Sequence, residues 1–397
     1  MAVISRDHRP AIGLGITQTI GYGTLYYAYA VLLPFMAKDL GLTLSQVFGV
    51  LSLGLFFGGL LSPVAGIWVD RFGGRWVMTL GSTVAGVALI LISLVETSKQ
   101  LFLAVLLAEA AGMFVLYDVA FASVARMDVK LPAARSISII TLFGGVASTI
   151  FWPLTLWIHD ATSWQQTWVI LGIFTLVTCV PLHLWVLAGP QKDPDAPPAP
   201  GAQAWPELTG AARRRGMLWM VISFILSGYV MGAVMTLWVT NVEDMGHSAA
   251  MAALAGAVIG PFKTIGRLLE MIVSRDLYPR VTYLLSLSLM LGGFAVLLIL
   301  GVTVPGVLLA AAIYGMGDGI KTIARGTLPL ALFGPRGYGA RLGWISFVRM
   351  GLNASAPFAF AWLTQTFNGW TSFAAMAGCM CAALLAFAFI PDPRRSA

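Results

Sequence analysis

Twelve apolar runs dominate the chain, at roughly 11–36, 46–69, 76–95, 101–123, 136–158, 166–188, 216–240, 247–268, 281–300, 306–331, 342–366 and 370–390. Each is long enough to cross the ~30 Å hydrocarbon core of a bilayer as a helix. Lipid offers the backbone no hydrogen-bond partners, so a spanning segment must satisfy its own N–H and C=O groups, which a helix does and an open sheet does not. The pattern therefore specifies an all-α polytopic membrane protein. Hydrophobic residues make up 58% of the 397 and charged ones only 10%, too little charge to cover a soluble protein of this size.

The net charge of +7 would fit a nucleic-acid partner if the basic residues formed one patch. Instead they follow the membrane topology. With the N-terminus in the cytoplasm, that side collects Arg6, Arg9, Arg71, Arg75, Arg126, Lys130, Arg135, Lys192, Arg213, Arg214, Arg215, Arg275, Arg280, Arg336, Arg341, Arg394 and Arg395, with Arg267 at a helix end. The opposite side has only Lys38 and Lys99. This asymmetry is the positive-inside signal and places both termini in the cytoplasm, as expected of a multi-pass protein of a bacterial inner membrane. The first apolar run is long enough to span and lacks a small-residue cleavage site, so it reads as a helix rather than a removable signal peptide. Cys179, Cys379 and Cys381 fall within apolar runs, leaving no framework of paired extracellular bridges.

The long polar break is 189–215, a Pro-rich cytoplasmic linker ending in Arg213-Arg214-Arg215. It separates a six-helix half at 1–188 from another at 216–397, the organisation of a transporter built from two repeats with a substrate path between them. No nucleotide-binding loop, nucleophile with a nearby base, or metal-hydrolase motif appears, so an enzyme is not expected and no cofactor is implied. The turn after the second run reads Gly66-Ile-Trp-Val-Asp70-Arg71-Phe-Gly73-Gly74-Arg75, which resembles the G-x-x-x-D-R-x-G-x-R signature of the major facilitator superfamily. Its counterpart, Gly266-Arg267-Leu-Leu-Glu270 followed by Ser274-Arg275-Asp276, keeps the charges and loses the spacing. The resemblance implies the twelve-helix major facilitator fold, a conformational gate at Gly66, Asp70, Arg71, Gly73 and Arg75, and a central cavity lined by segments one, four, seven and ten.

Two short motifs flank the turn after segment seven: Met231-Gly-Ala-Val-Met235, and His247-Ser-Ala-Ala-Met251 at the start of segment eight. Residues four apart share a helix face, and three thioethers with an imidazole suit Cu(I) far better than cations that prefer oxygen. Seventeen methionines supply roughly 0.7 Met-x-x-x-Met pairs by chance, whereas four histidines supply only about 0.2 His-x-x-x-Met, so the conjunction carries the information. On spacing alone, methionines packing against lipid and a histidine at the water interface account for the pattern more simply. Met231, Met235, His247, Ser248 and Met251 together resemble the CcoA-like branch of the superfamily, bacterial copper importers that supply cytochrome c oxidase assembly. That resemblance implies import of copper, or of a copper-carrying small ligand, by a monomeric secondary transporter, with these Met and His side chains as the outward-facing ligands.

Ionisable residues inside membrane segments are functional candidates by default. Glu109, Asp118 and Asp318 are the candidates for proton coupling, and Asp318 lies three residues before Lys321, close enough to pair on one helix. Lys263 and Arg267 fall in segment eight, Arg325 in ten and Arg349 in eleven; structural pairing is the competing role for all of these charges. Lys321, Arg325 and Arg349 can meet an anion, and Tyr22, Tyr26, Tyr27 and Tyr29 can stack a planar group or fill an interhelical face. These residues carry the alternative that the substrate is an organic solute such as riboflavin or a carboxylate. A third reading is a membrane factor that binds copper without moving it. Met376, Cys379, Met380 and Cys381 of segment twelve read as apolar filling.

Overall fold

The computed structural model describes residues 7–192, 205–273, 277–353 and 355–395. Among them regular structure is helical, with one isolated antiparallel bridge between Met127 and Gln191. The elements are α1 (Arg9–Asp39), α2 (Leu44–Gly59 and Ser62–Phe72, bent by 42°), α3 (Gly74–Ile92), α4 (Ser98–Ala125), α5 (Ala133–Ala161), α6 (Trp164–Val186), α7 (Gly210–Asp244), α8 (Ala249–Val273), α9 (Pro279–Leu300), α10 (Val304–Phe333), α11 (Tyr338–Asn353 and Ala356–Thr366) and α12 (Gly369–Ala388). These correspond one to one with the twelve apolar runs. Among the described residues ten are long and apolar enough to cross a membrane, and the bent α2 makes an eleventh.

The helix starts explain the turns. Every even-numbered helix opens on a side-chain cap: Thr43 accepts from the Gln46 amide, Thr97 from Gln100, Ser163 from Gln166, Ser248 from Met251, Thr303 from Gly306 and Asn368 from Thr371. Thr43 with Gln46 and Thr97 with Gln100 form full capping boxes. Each cap satisfies an amide that has no partner inside the helix, an effect of roughly 1 kcal/mol. In the first unit, Thr43 stands in the turn that follows Lys38, and Thr97 stands next to Lys99.

By mutual contact the chain forms two units, Met1–Ala202 with Pro335–Phe347, and Gln203–Gly334 with Val348–Ala397. The sequence division at 189–215 put all of α11 in the second half; its first part groups instead with the first six helices. Part of the linker, 193–204, and the triplet Ser274-Arg275-Asp276 lie outside the described residues. In the first unit α3 and α6 touch backbone to backbone: a Cβ on Gly172 would lie 2.7 Å from the Gly86 carbonyl oxygen. In the second, α10 offers Gly315 and Gly319 on one face to Ile259 and Lys263 of α8, where added Cβ atoms would stand 2.6 and 2.1 Å from the facing carbonyl oxygens. Lipid tails are as apolar as leucine, so close contact between small residues does much of the work that hydrophobic burial does in water.

Gly319→Val is therefore expected to separate α8 from α10 and to reduce sharply the yield of monodisperse protein on size exclusion in detergent. Gly260→Ala, on α8 where a Cβ meets nothing within 4 Å, should leave that yield unchanged.

Candidate functional site

The second unit encloses a cluster of charges. Asp318 of α10, 1% exposed, sits between two ammoniums: Lys263 Nζ of α8 is 2.7 Å from its Oδ2, and Lys321 Nζ is 3.1 Å from its Oδ1. Lys321 also donates to the Ser227 carbonyl oxygen of α7 at 3.1 Å. Arg349 of α11 packs its methylenes within 3.3–3.4 Å of where a Gly228 Cβ would sit, and its charge acts on Lys321. Arg325 is half-buried one turn beyond Lys321. Four helices thus bring one carboxylate against two ammoniums and place a guanidinium nearby. The Asp318–Lys321 pair was legible from spacing three. Lys263 was not, because nothing local relates residue 263 to residue 318; the close approach at Gly319 brings them together.

In the first unit the 66–75 motif packs against the start of α11. Asp70 accepts from the amides of Gly339 at 3.0 Å and Ala340 at 2.7 Å, capping the first turn of α11 where the helix dipole favours a negative charge. Arg126 donates to the Asp70 carbonyl oxygen at 2.5 Å. Gly66 is required by contact, since a Cβ there would lie 2.1 Å from the Gly339 carbonyl oxygen, and Gly73 by its φ of +79°. Arg71 and Arg75 lie over the rings of Phe72 and Trp76. A second carboxylate, Asp118 in the first turn of the Tyr117–Ala125 stretch of α4, accepts a hydrogen bond from Ser346. Glu109, 3% exposed on α4, lies against Gly54 and Gly58 of α2 and near Tyr26 and Tyr29.

Tyr22, Tyr26 and Tyr27 form one ring cluster, and Tyr29 stands apart from it. Gly23–Tyr27 is a π-helical turn within α1, which rotates the residues after it relative to those before. Tyr22 packs on Tyr117 at 4.6 Å and Tyr26 on Tyr27 at 5.2 Å, whereas Tyr29 is fully buried against Trp168.

The soft ligands occupy two levels. Met231, half-buried, and Met235, 57% exposed, lie on the unbroken α7. At 1.5 Å per residue they stand ~20 and ~13 Å before the end of that helix. His247 lies in the following turn, its Nε2 bonded to the Gly301 carbonyl oxygen at 2.6 Å. Ser248 is the cap of α8 and Met251 supplies the capped amide. A metal bond is shorter than 3 Å, so one ion cannot take all four residues in this arrangement, and an ion at Nε2 would displace Gly301. Among the described residues no three His, Cys, Asp or Glu side chains are grouped to hold a metal. Met376 and Met380 are fully buried packing, beside free Cys379 and Cys381.

The family model described as Major Facilitator Superfamily matches residues 16–357. The chain belongs to the Major Facilitator Superfamily. It is a multi-pass membrane secondary transporter and not an enzyme. Monocarboxylate transporter 4 of Gallus gallus is 21% identical over 331 residues, 80% of this chain and 68% of that protein. The transporter FucP, solved in the outward conformation, superposes with a TM-score of 0.72 at 14% identity, covering 96% of this chain and 98% of that one. The human organic anion transporter MFSD10 (TETRAN) gives 0.66 at 13%, covering 98% and 100%. At such identities the two structures share the fold.

Removing the Asp70 carboxylate should free the first turn of α11. A hydrogen bond to a charged group contributes about 1.5–3 kcal/mol, so Asp70→Ala is expected to speed hydrogen–deuterium exchange at the Gly339 and Ala340 amides by roughly tenfold or more.

Proposed function

We propose that this superfamily member carries a small organic anion, with carboxylates as the substrate class. The observation that carries the reading is the Lys263–Asp318–Lys321 cluster, two ammoniums on one carboxylate inside a membrane-spanning unit. An excess buried charge is expensive unless a counter-ion joins it. At about 4 Å and an effective dielectric near 20, one ion pair gains roughly 4 kcal/mol, enough to offset part of the desolvation of an incoming carboxylate. A monovalent copper cation meets repulsion at the same place. The names of a monocarboxylate transporter among the relatives and an organic anion transporter among the structural neighbours support the same class. Read by the positive-inside rule, the arginine-rich turns face the cytoplasm, which supports a bacterial inner membrane with both termini on its cytoplasmic side.

Copper import is the second reading. Met231 and Met235, one turn apart on α7, favour it, since two thioethers can share an ion without help from His247. In proteoliposomes, radiolabelled lactate or benzoate should enter saturably, and copper should not. Copper uptake abolished by Met231→Ala and Met235→Ala, with no carboxylate uptake, would reverse the order of the two readings.

Coupling needs a group that can change charge. Asp318 is held by two ammoniums and Asp118 is bonded to Ser346, whereas Glu109 has no ion pair among the described residues. Glu109 is therefore the carboxyl placed to carry a coupling proton. Glu109→Gln is expected to preserve exchange of labelled carboxylate across the membrane while removing accumulation driven by a pH gradient. Full gradient-driven accumulation in that variant would exclude the role.

A further inference from the structure

The two lysines of the cluster are not equivalent, and we infer that Lys263 is the side chain that takes the substrate carboxylate, with Asp318 as the internal anion it returns to when the site is empty. This rests on the anion reading above. Lys321 is restrained on three sides: it shares a helix with Asp318, pairs with Oδ1 at 3.1 Å, and donates to the Ser227 carbonyl oxygen at 3.1 Å. Its side chain is 11% exposed. Lys263 reaches Asp318 from another helix and its side chain is 22% exposed, twice as much. Asp318 Oδ2 is the only polar partner of its ammonium among the described residues. An ammonium has three donors, so the Asp318 bond leaves two of them for an incoming oxygen.

The backbone beneath Lys263 is fixed. Gly319 allows the Lys263 carbonyl to press against α10 so closely that a Cβ would stand 2.1 Å from its oxygen. Exchange therefore needs rotation of a flexible four-carbon stem and no displacement of a helix. The charges of the three residues balance when one carboxylate joins them. Asp318 and Lys321 remain as a neutral internal pair, and Lys263 with one monovalent carboxylate makes a second. A monocarboxylate on Lys263 is thus the substrate charge that leaves these three residues neutral. In the empty state Asp318 occupies the ammonium that the substrate needs. It competes with substrate for Lys263 and prevents a bare ammonium from being stranded in the bundle.

The competition makes a prediction that a positioning role does not. Equilibrium dialysis of radiolabelled benzoate against the purified full chain in nanodiscs should show binding to the wild type at least tenfold tighter than to Lys263→Gln. That variant keeps the neutral Asp318–Lys321 pair and so is expected to fold. Asp318→Asn, if monodisperse, should bind benzoate several-fold more tightly than wild type because the competitor is gone, and should gain succinate binding because both ammoniums are then uncompensated. No benzoate or lactate binding to the wild type would overturn the anion reading itself. Wild-type binding retained in full by Lys263→Gln would leave that reading standing and sink the assignment of Lys263. Weaker binding by Asp318→Asn would make Asp318 a positioning residue and remove the exchange.

Discussion

In hydrocarbon an unsatisfied amide or carbonyl has no water to turn to, and leaving one exposed costs several kcal/mol. The chain answers that constraint in three ways. Spans are helical so that backbone groups bond within the segment, and the even-numbered helices begin at hydroxyl or amide caps that close their first turns. Helices then approach through glycine, with Gly86 against Gly172 and Gly319 against Lys263. Buried charge is gathered with counter-charge at Asp318, which meets Lys263 and Lys321.

The same constraint changes the meaning of the histidine motif. Read as letters, His247-Ser-Ala-Ala-Met251 presents an imidazole and a thioether one turn apart. In the structure the serine is a helix cap, the methionine amide is what it caps, and the imidazole bonds the Gly301 carbonyl oxygen. A helix start and a ligand pair leave the same spacing in a sequence, because both follow the helical turn. The methionines of α7 have no such competing role in the backbone, and they remain the residues on which a copper reading rests.

Asp70 and Asp118 show how a carboxylate near a helix end can hold distant sequence. Asp70 meets amides some 270 positions away, and Asp118 meets Ser346. Through these bonds Pro335–Phe347 groups with the first unit although it follows the linker. The superfamily-like motif marked Asp70 as a gate residue, yet its partners on α11 carry no signature, since an amide at a helix start is available in any sequence.

The sequence by itself determined the all-helical class, the twelve helices and the Asp318–Lys321 pair, because hydrophobic run length and helical spacing act within a few turns of chain. Tertiary structure alone decided that Lys263 joins that pair, that Tyr29 packs on Trp168 away from the other tyrosines of α1, that Met231 and His247 stand at different depths, and that the start of α11 belongs with Asp70. Each of these depends on where one helix lies against another. That is set by side-chain packing at contacts such as Gly319 with Lys263, which relate residues tens to hundreds of positions apart and leave no local trace.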